Sequence, residues 1–160
     1  MAVDKGIWWV NLGKAYAVAR QRGELWSGTQ LWHQRMLEAL RAGDIVFTFA
    51  NGEIHGFCVV DEPAEWVDSH VAPDQPALPP AERLLVKAVF YEFDEPVGVD
   101  EIPLEWRQEN TTTYQGPFQT AGGRVHQIYL ARLLPTFYDQ MKERFADRWP
   151  LSATRPKVLA

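Results

Sequence analysis

Two tryptophans and a few polar residues hold the most suggestive chemistry in this chain. Trp26 directly precedes Ser27 and Gly28, two small residues typical of a turn. A core tryptophan more often sits inside a periodic apolar run. One that leads into a Ser-Gly turn can present its ring face to a ligand, although for Trp26 alone the plainer reading is a half-buried ring at a strand end. Trp66 follows an irregular stretch, Asp61 to Glu65, that contains Pro63. An aromatic face stacks on a nucleobase for about 1–3 kcal/mol. Asn11, at the end of the first apolar run, could hydrogen-bond ring nitrogens. Lys14, Arg20, Arg22 and Arg35 are candidates for phosphate contacts.

Other chemistries find no support. The four histidines, His33, His55, His70 and His126, show no metal-ligand spacing, and there is no cysteine cluster. The single cysteine, Cys58, cannot form an internal disulfide and lies in a strand-like run, where it reads as buried and inert. There is no Walker loop and no GxGxxG. The expectation is a binding protein without cofactor or metal, and not an enzyme.

The net charge is −5, which argues weakly against a nucleic-acid partner, but the charges are unevenly placed. Residues 1–42 hold six Lys/Arg against three acids; residues 43–123 hold three against fifteen; residues 124–160 hold seven against three. If the two basic ends share a face, that face is positive on an acidic molecule. The alternative is that the acidic middle merely keeps the protein soluble. No apolar run approaches the roughly 18 residues of a membrane span. The N-terminus lacks the basic and apolar regions of a secretory signal. A cytoplasmic protein with no membrane partner fits these features.

Stepwise along the chain, Ile7 to Leu12 reads as a buried strand and Lys14 to Gln21 as a short helix stopped by Gly23. The Trp26 turn follows, then a helix over Leu31 to Leu40 with Gly43 at its C-terminal end. Ile45 to Ala50 and Ile54 to Val60 flank Asn51-Gly52, a strong type I′ hairpin signal. Residues 67–82 carry four prolines and read as a loop long enough to act as a lid. Arg83 to Phe93 is a long strand, Pro103 to Gln108 one helical turn, Val125 to Leu130 a last strand, and Leu134 to Trp149 a terminal helix. Seven tryptophans in 160 residues ask for an explanation, but most have a structural one. Trp8 and Trp9 point to opposite faces of a strand, so at most one can line a pocket. Trp32, Trp106 and Trp149 read as packing residues. The pattern predicts an α+β fold: one domain over 1–149, a curled mixed sheet forming a partial barrel flanked by helices, with a tail or linker start over 150–160.

The order Trp8-Trp9-Val10-Asn11, Gly23-Glu24-Leu25-Trp26, His33, Ala42-Gly43-Asp44-Ile45-Val46-Phe47 and Ala50-Asn51-Gly52-Glu53-Ile54 resembles the EVE domain. Leu25-Trp26-Ser27-Gly28-Thr29, with Gly52 to Phe57 leading to Glu65-Trp66-Val67, is similar to the YTH domain. Both belong to the PUA-like superfamily of curled mixed sheets with helices. The resemblance covers residues 7 to 95 by motif, and the remainder by element order only. It implies a reader of modified bases, with N6-methyladenine ahead of 5-methylcytosine, in which a base flipped from DNA enters an aromatic cage. Trp26 and Trp66 would be two cage walls, with Leu78 or another residue of the 67–82 loop as the third. Ser27, Asn11, Trp9 and Tyr16 would complete the base site. The Trp8-Trp9 pair, and the lack of a long polar segment after the first strand, depart from YTH and favour DNA over RNA.

The same resemblance implies a setting: the targeting domain of a modification-dependent restriction system, with a nuclease or motor in the same chain or in a partner. Two alternatives remain. One is a PUA-like RNA-binding domain; the other is a small ASCH-like nucleoside hydrolase using Lys87 with Glu92 or Glu53. A methyl group buried between two rings contributes about 0.8 kcal/mol, less than tenfold. Useful discrimination therefore needs hydrogen bonds as well. One candidate is the Ser27 carbonyl, which could accept the single N–H of a methylated amine.

Overall fold

A computed structural model describes residues 5–27, 35–67, 83–112, 116–120, 122–126 and 128–152. Seven strands form one strongly curled mixed sheet. They are β1 (Ile7–Asn11), β2 (Glu24–Ser27), β3 (Ile45–Ala50), β4 (Glu53–Val60), β5 (Glu65–Val67), β6 (Arg83–Gly98) and β7 (Leu130–Leu133). Their order is β2-β6-β4-β3-β1-β7, with β5 also paired to β6. Only β1 and β3 run parallel; the segment between them crosses over through α1 (Tyr16–Arg22) and β2. The helices α2 (Leu104–Glu109) and α3 (Thr136–Arg144) follow the long strand and the last strand.

The central strands β1 and β3 are buried on both faces, so they are apolar runs, whereas β6 alternates buried and exposed residues from Val86 to Phe90. Inside the half-barrel lie Trp8, Val10, Leu25, Val46, Cys58, Val86, Phe90 and Leu130. The outer face packs Trp9, Phe47, Phe49, Phe57 and Phe93 against Phe137 and Met141 of α3. Asp44 ties the crossover to the sheet. Its buried carboxylate accepts the Gly6 and Arg41 backbone N–H groups at 2.9 and 3.0 Å and Trp8 Nε1–H at 3.1 Å.

The Asn51-Gly52 turn has φ of 54° and 82°, as the hairpin signal requires. A bulge follows at His55: Thr48 pairs with Gly56 whereas Phe49 pairs with Ile54. Gly56 is fixed by close approach. A Cβ there would stand 2.0 Å from the Tyr91 carbonyl oxygen of β6.

Four elements differ from the sequence expectation. Trp26 lies within a strand, β2, and not in a turn, because Gly23 in the left-handed conformation (φ 67°) ends α1 and starts the strand at once. The last strand is Leu130–Leu133 and not Val125 to Leu130; pairing with β1 selects the later residues, and Val125 makes only an isolated bridge to Phe118. The terminal helix is shorter than expected: α3 ends at Arg144, and a 3-10 turn over Ala146–Arg148 carries Trp149 back onto Phe57 and Phe93. Of the helix expected over 31–40, the described part is a 3-10 turn, Arg35–Ala39. Most of the proline-bearing loop lies outside the described residues.

Candidate nucleic-acid interface

The end of β1 borders a shallow concavity. Asn11, Leu12 and Gly13 form one wall and Ile128 and Tyr129 the other, around a shallow hollow of ≈ 270 Å³. The hollow has its shape because β1 stops here. Asn11 N–H donates to the Tyr129 carbonyl at 2.8 Å, Leu12 N–H donates to Phe49 at 2.8 Å, and Gly13 turns the chain with φ of 51°. The Asn11 side chain is half-buried, and its amide makes no hydrogen bond among the described residues. Lys14, next after Gly13 in the chain, is exposed. Tyr129 connects this hollow to Trp26. Its ring packs against the barrel interior, and its buried hydroxyl lies beside the Trp26 backbone.

Trp26 is 7% exposed and packs in the barrel interior cluster, opposite Leu85 of β6. Trp66 is 47% exposed and stands opposite Leu84. Directly paired residues in a sheet share a face, and the face alternates at each residue. Trp26 therefore shares a face with Leu85 and Glu65, and Trp66 with Leu84 and Ser27. The two rings leave the three-strand ribbon on opposite sides, so they do not face each other as the two walls of one cage. Sequence spacing alone could not supply the register across β6 that separates them.

The other expected site residues divide clearly. Trp9 is a core residue: it is fully buried, stacked on Phe49 at 5.1 Å and edge-on to Phe118 at 5.1 Å, so no ring face remains for a base. Its strand neighbour Trp8 is buried on the opposite face, under the Arg132 guanidinium. Tyr16 opens α1 and stacks on His55 at 4.4 Å, while its hydroxyl donates to Glu92 at 2.7 Å. Ser27 ends β2 opposite Leu84. Leu78 lies outside the described residues. Among the basic residues, Lys14 and Arg22 are exposed. Arg20 is committed to Glu92 at 2.7 Å. Arg35 begins the 3-10 turn, and its side chain is outside the description.

Glu92 is the residue the sequence reading undervalued. The interior face of β6 carries Ala88, Phe90 and then Glu92, a carboxylate at an apolar-in position, and that interruption was a readable signal. Burial alone would raise its pKa; the hydrogen bonds from Tyr16 and Arg20, with the Arg20 charge, more than reverse this and hold it below the usual carboxylate value. Tyr16 is pushed upward by burial and then by the same bond to Glu92, so its hydroxyl stays a donor. Lys87 leaves β6 on the face opposite Glu92, since five residues separate them along an unbroken strand segment. The Lys87–Glu92 pair considered for a hydrolase is therefore not assembled. Burial also raises the Cys58 thiol, which keeps it unreactive.

No family model matches this chain, and no curated protein matches it. Solved structures do. Human THYN1, in complex with DNA containing 5-methylcytosine, aligns with a TM-score of 0.53 at 11% identity over 88% of this chain and 98% of that one. A mutant form of ZmASCH from Zymomonas mobilis aligns at 0.53 and 12% identity, over 89% and 98%. A hypothetical protein from Leishmania major aligns at 0.57 and 13%, over 90% and 97%. At such identities the likeness is one of fold. It agrees with the strand order and the curl described above: the chain is a single domain with the PUA-like α+β fold, a mixed sheet curled into a half-barrel and flanked by helices.

Proposed function

We propose that this chain is a nucleic-acid-binding module that takes a modified base into the hollow at the end of β1. The observation that carries the reading is Asn11: half-buried, lining that hollow, its side-chain amide without a hydrogen-bond partner among the described residues, with the exposed Lys14 three residues on in the chain. An amide presents a donor and an acceptor together, the pair that reads the edge of a base. Support for a nucleic-acid ligand comes from the fold shared with THYN1, which was solved with DNA containing 5-methylcytosine. That complex makes 5-methylcytosine the first base to try, ahead of the N6-methyladenine that the YTH resemblance favours. Base flipping costs a few kcal/mol, which the phosphate contacts of Lys14 and Arg22 would help offset. A targeting role beside a nuclease or motor, as in modification-dependent restriction, is the setting the resemblance suggests.

The test is binding to short DNA duplexes carrying 5-methylcytosine, N6-methyladenine or no modification, with a single-stranded RNA of the same sequence alongside. A bidentate base contact is worth about 1–3 kcal/mol, so Asn11→Ala should lose roughly tenfold or more on the preferred duplex. Trp66→Ala should weaken all duplexes alike if at all, since its ring leaves the ribbon on the face away from Trp26. Equal affinity for every DNA duplex, with tighter binding to RNA, would replace the reading with a modification-blind RNA-binding domain.

A further inference from the structure

We infer that a second hollow, beside the end of α1, is a nucleotide subsite in which Glu24 and Lys87 select an unpaired guanine. This deepens the proposed function, and rests on it only for the strand that would fill both hollows. The second hollow measures ≈ 340 Å³, at the low end of the usual range for small-ligand sites. Leu85 and Val89 give it apolar surface, and Val89 is 40% exposed. Arg22, Glu24, Asp61 and Lys87 supply its charges. None of these four makes an ion pair or a side-chain hydrogen bond among the described residues. Arg20 lines the same hollow and is the contrast, since Glu92 already holds it.

The sheet places the two reading groups. Glu24 of β2 stands directly opposite Lys87 of β6, so both side chains leave the sheet on one face. Leu85 and Val89 share that face, two residues to either side of Lys87. Opposite charges so placed commonly bond to each other. Here they do not, which leaves an ammonium donor and a carboxylate acceptor beside apolar surface. A bare phosphate does not suit this hollow, because two carboxylates line it along with the cations. A base with an acceptor next to donors does. Guanine has that edge: O6 accepts, and the adjacent N1–H and N2 amine donate. Lys87 would donate to O6, and the Glu24 carboxylate would accept both N–H groups. Adenine carries an amine where guanine has O6, so it would meet Lys87 donor to donor. Base pairing occupies the same edge, so the guanine read here is unpaired. The helix links the two hollows: Gly13 lines the first, and Arg22 the second. The 3-10 turn Gly13–Ala15 and α1 together rise about 16 Å, a distance that a few nucleotides of one strand can cross.

The experiment titrates wild type, Glu24→Gln and Lys87→Met with guanosine, inosine and adenosine monophosphates, followed by backbone amide NMR shifts. Thermal unfolding checks that both variants fold. The expected result is a guanine nucleotide bound about tenfold or more tighter than the adenine one, with shifts centred on Glu24 and Lys87. Inosine, which lacks the N2 amine, should fall between them. Glu24→Gln should abolish the difference between guanine and inosine, and Lys87→Met should weaken both together. Equal affinity for all three nucleotides, no binding of any, or a guanine preference that survives in both variants would overturn the inference and leave the proposed function standing. A wild type that selects guanine but shows no preference among the modified duplexes would remove the proposed function and leave this subsite.

Discussion

Replacing Glu92 by glutamine should destabilise the protein by about 1–2 kcal/mol at pH 7, and by progressively less as pH falls below the ordinary carboxylate range. The carboxylate accepts the Tyr16 hydroxyl and the Arg20 guanidinium, both at 2.7 Å, and so clamps α1 onto β6. Hydrogen bonds to a charged group contribute roughly 1.5–3 kcal/mol and neutral ones roughly 0.5–1.5, so each bond loses about 1 kcal/mol when the charge goes. The Arg20 contact is discounted, because its side chain is 37% exposed and that of Glu92 33%, and water screens such pairs to about 0–1 kcal/mol. The Tyr16 bond is less exposed and should dominate. The pH dependence has a definite sign. Glu92 has a lowered pKa in the folded state. Its contribution is therefore fully present above the unfolded carboxylate value near 4.3, and is lost as pH falls through the lower, folded value. Urea unfolding of wild type and Glu92→Gln across pH 3 to 7 measures the gap directly. At neutral pH it corresponds to a Tm difference of roughly 2–8 °C for a domain of this size. A gap that stays constant across that range would show that the carboxylate charge does not hold α1, and would refute the argument.

Three further outcomes follow from the packing and the charges. Asp44→Ala should cost about 3–5 kcal/mol by chemical denaturation, since it strands three donors from Gly6, Trp8 and Arg41. Asparagine should rescue it only in part, because its NH₂ must face at least one of those donors. Trp9→Ala should lose about 3–5 kcal/mol of stability, yet the folded fraction should keep any base preference, as expected of a ring buried between Phe49 and Phe118. For the phosphate contacts, Lys14→Ala and Arg22→Ala should each reduce the slope of log affinity against log salt by about 1. Arg20→Ala should leave that slope nearly unchanged, because Glu92 already holds its charge.

The strands of the half-barrel were legible because each signal was local. Ile7 to Asn11, Ile45 to Ala50 and the Asn51-Gly52 turn could be read from β-branched and aromatic runs and from the positive φ that only a few residues tolerate. The helix boundary at Gly23 was local as well. The last strand was misplaced by several residues, because Val125 to Leu130 and Leu130 to Leu133 are both plausible apolar runs, and only pairing with β1 distinguishes them.

By itself, the sequence determined the composition of the site: an amide at the end of the first strand, basic residues just after it, and tryptophans before and after the central hairpin. Tertiary structure alone decided which of these meet. Trp26 and Trp66 differ by one residue in their register on β6, and in a sheet one residue reverses the face, so two rings with suitable spacing point apart. Trp9 was interchangeable with Trp8 until α3 and Phe118 covered the outer face. Arg20 could not be told from Arg22 until Glu92 arrived from 72 residues away.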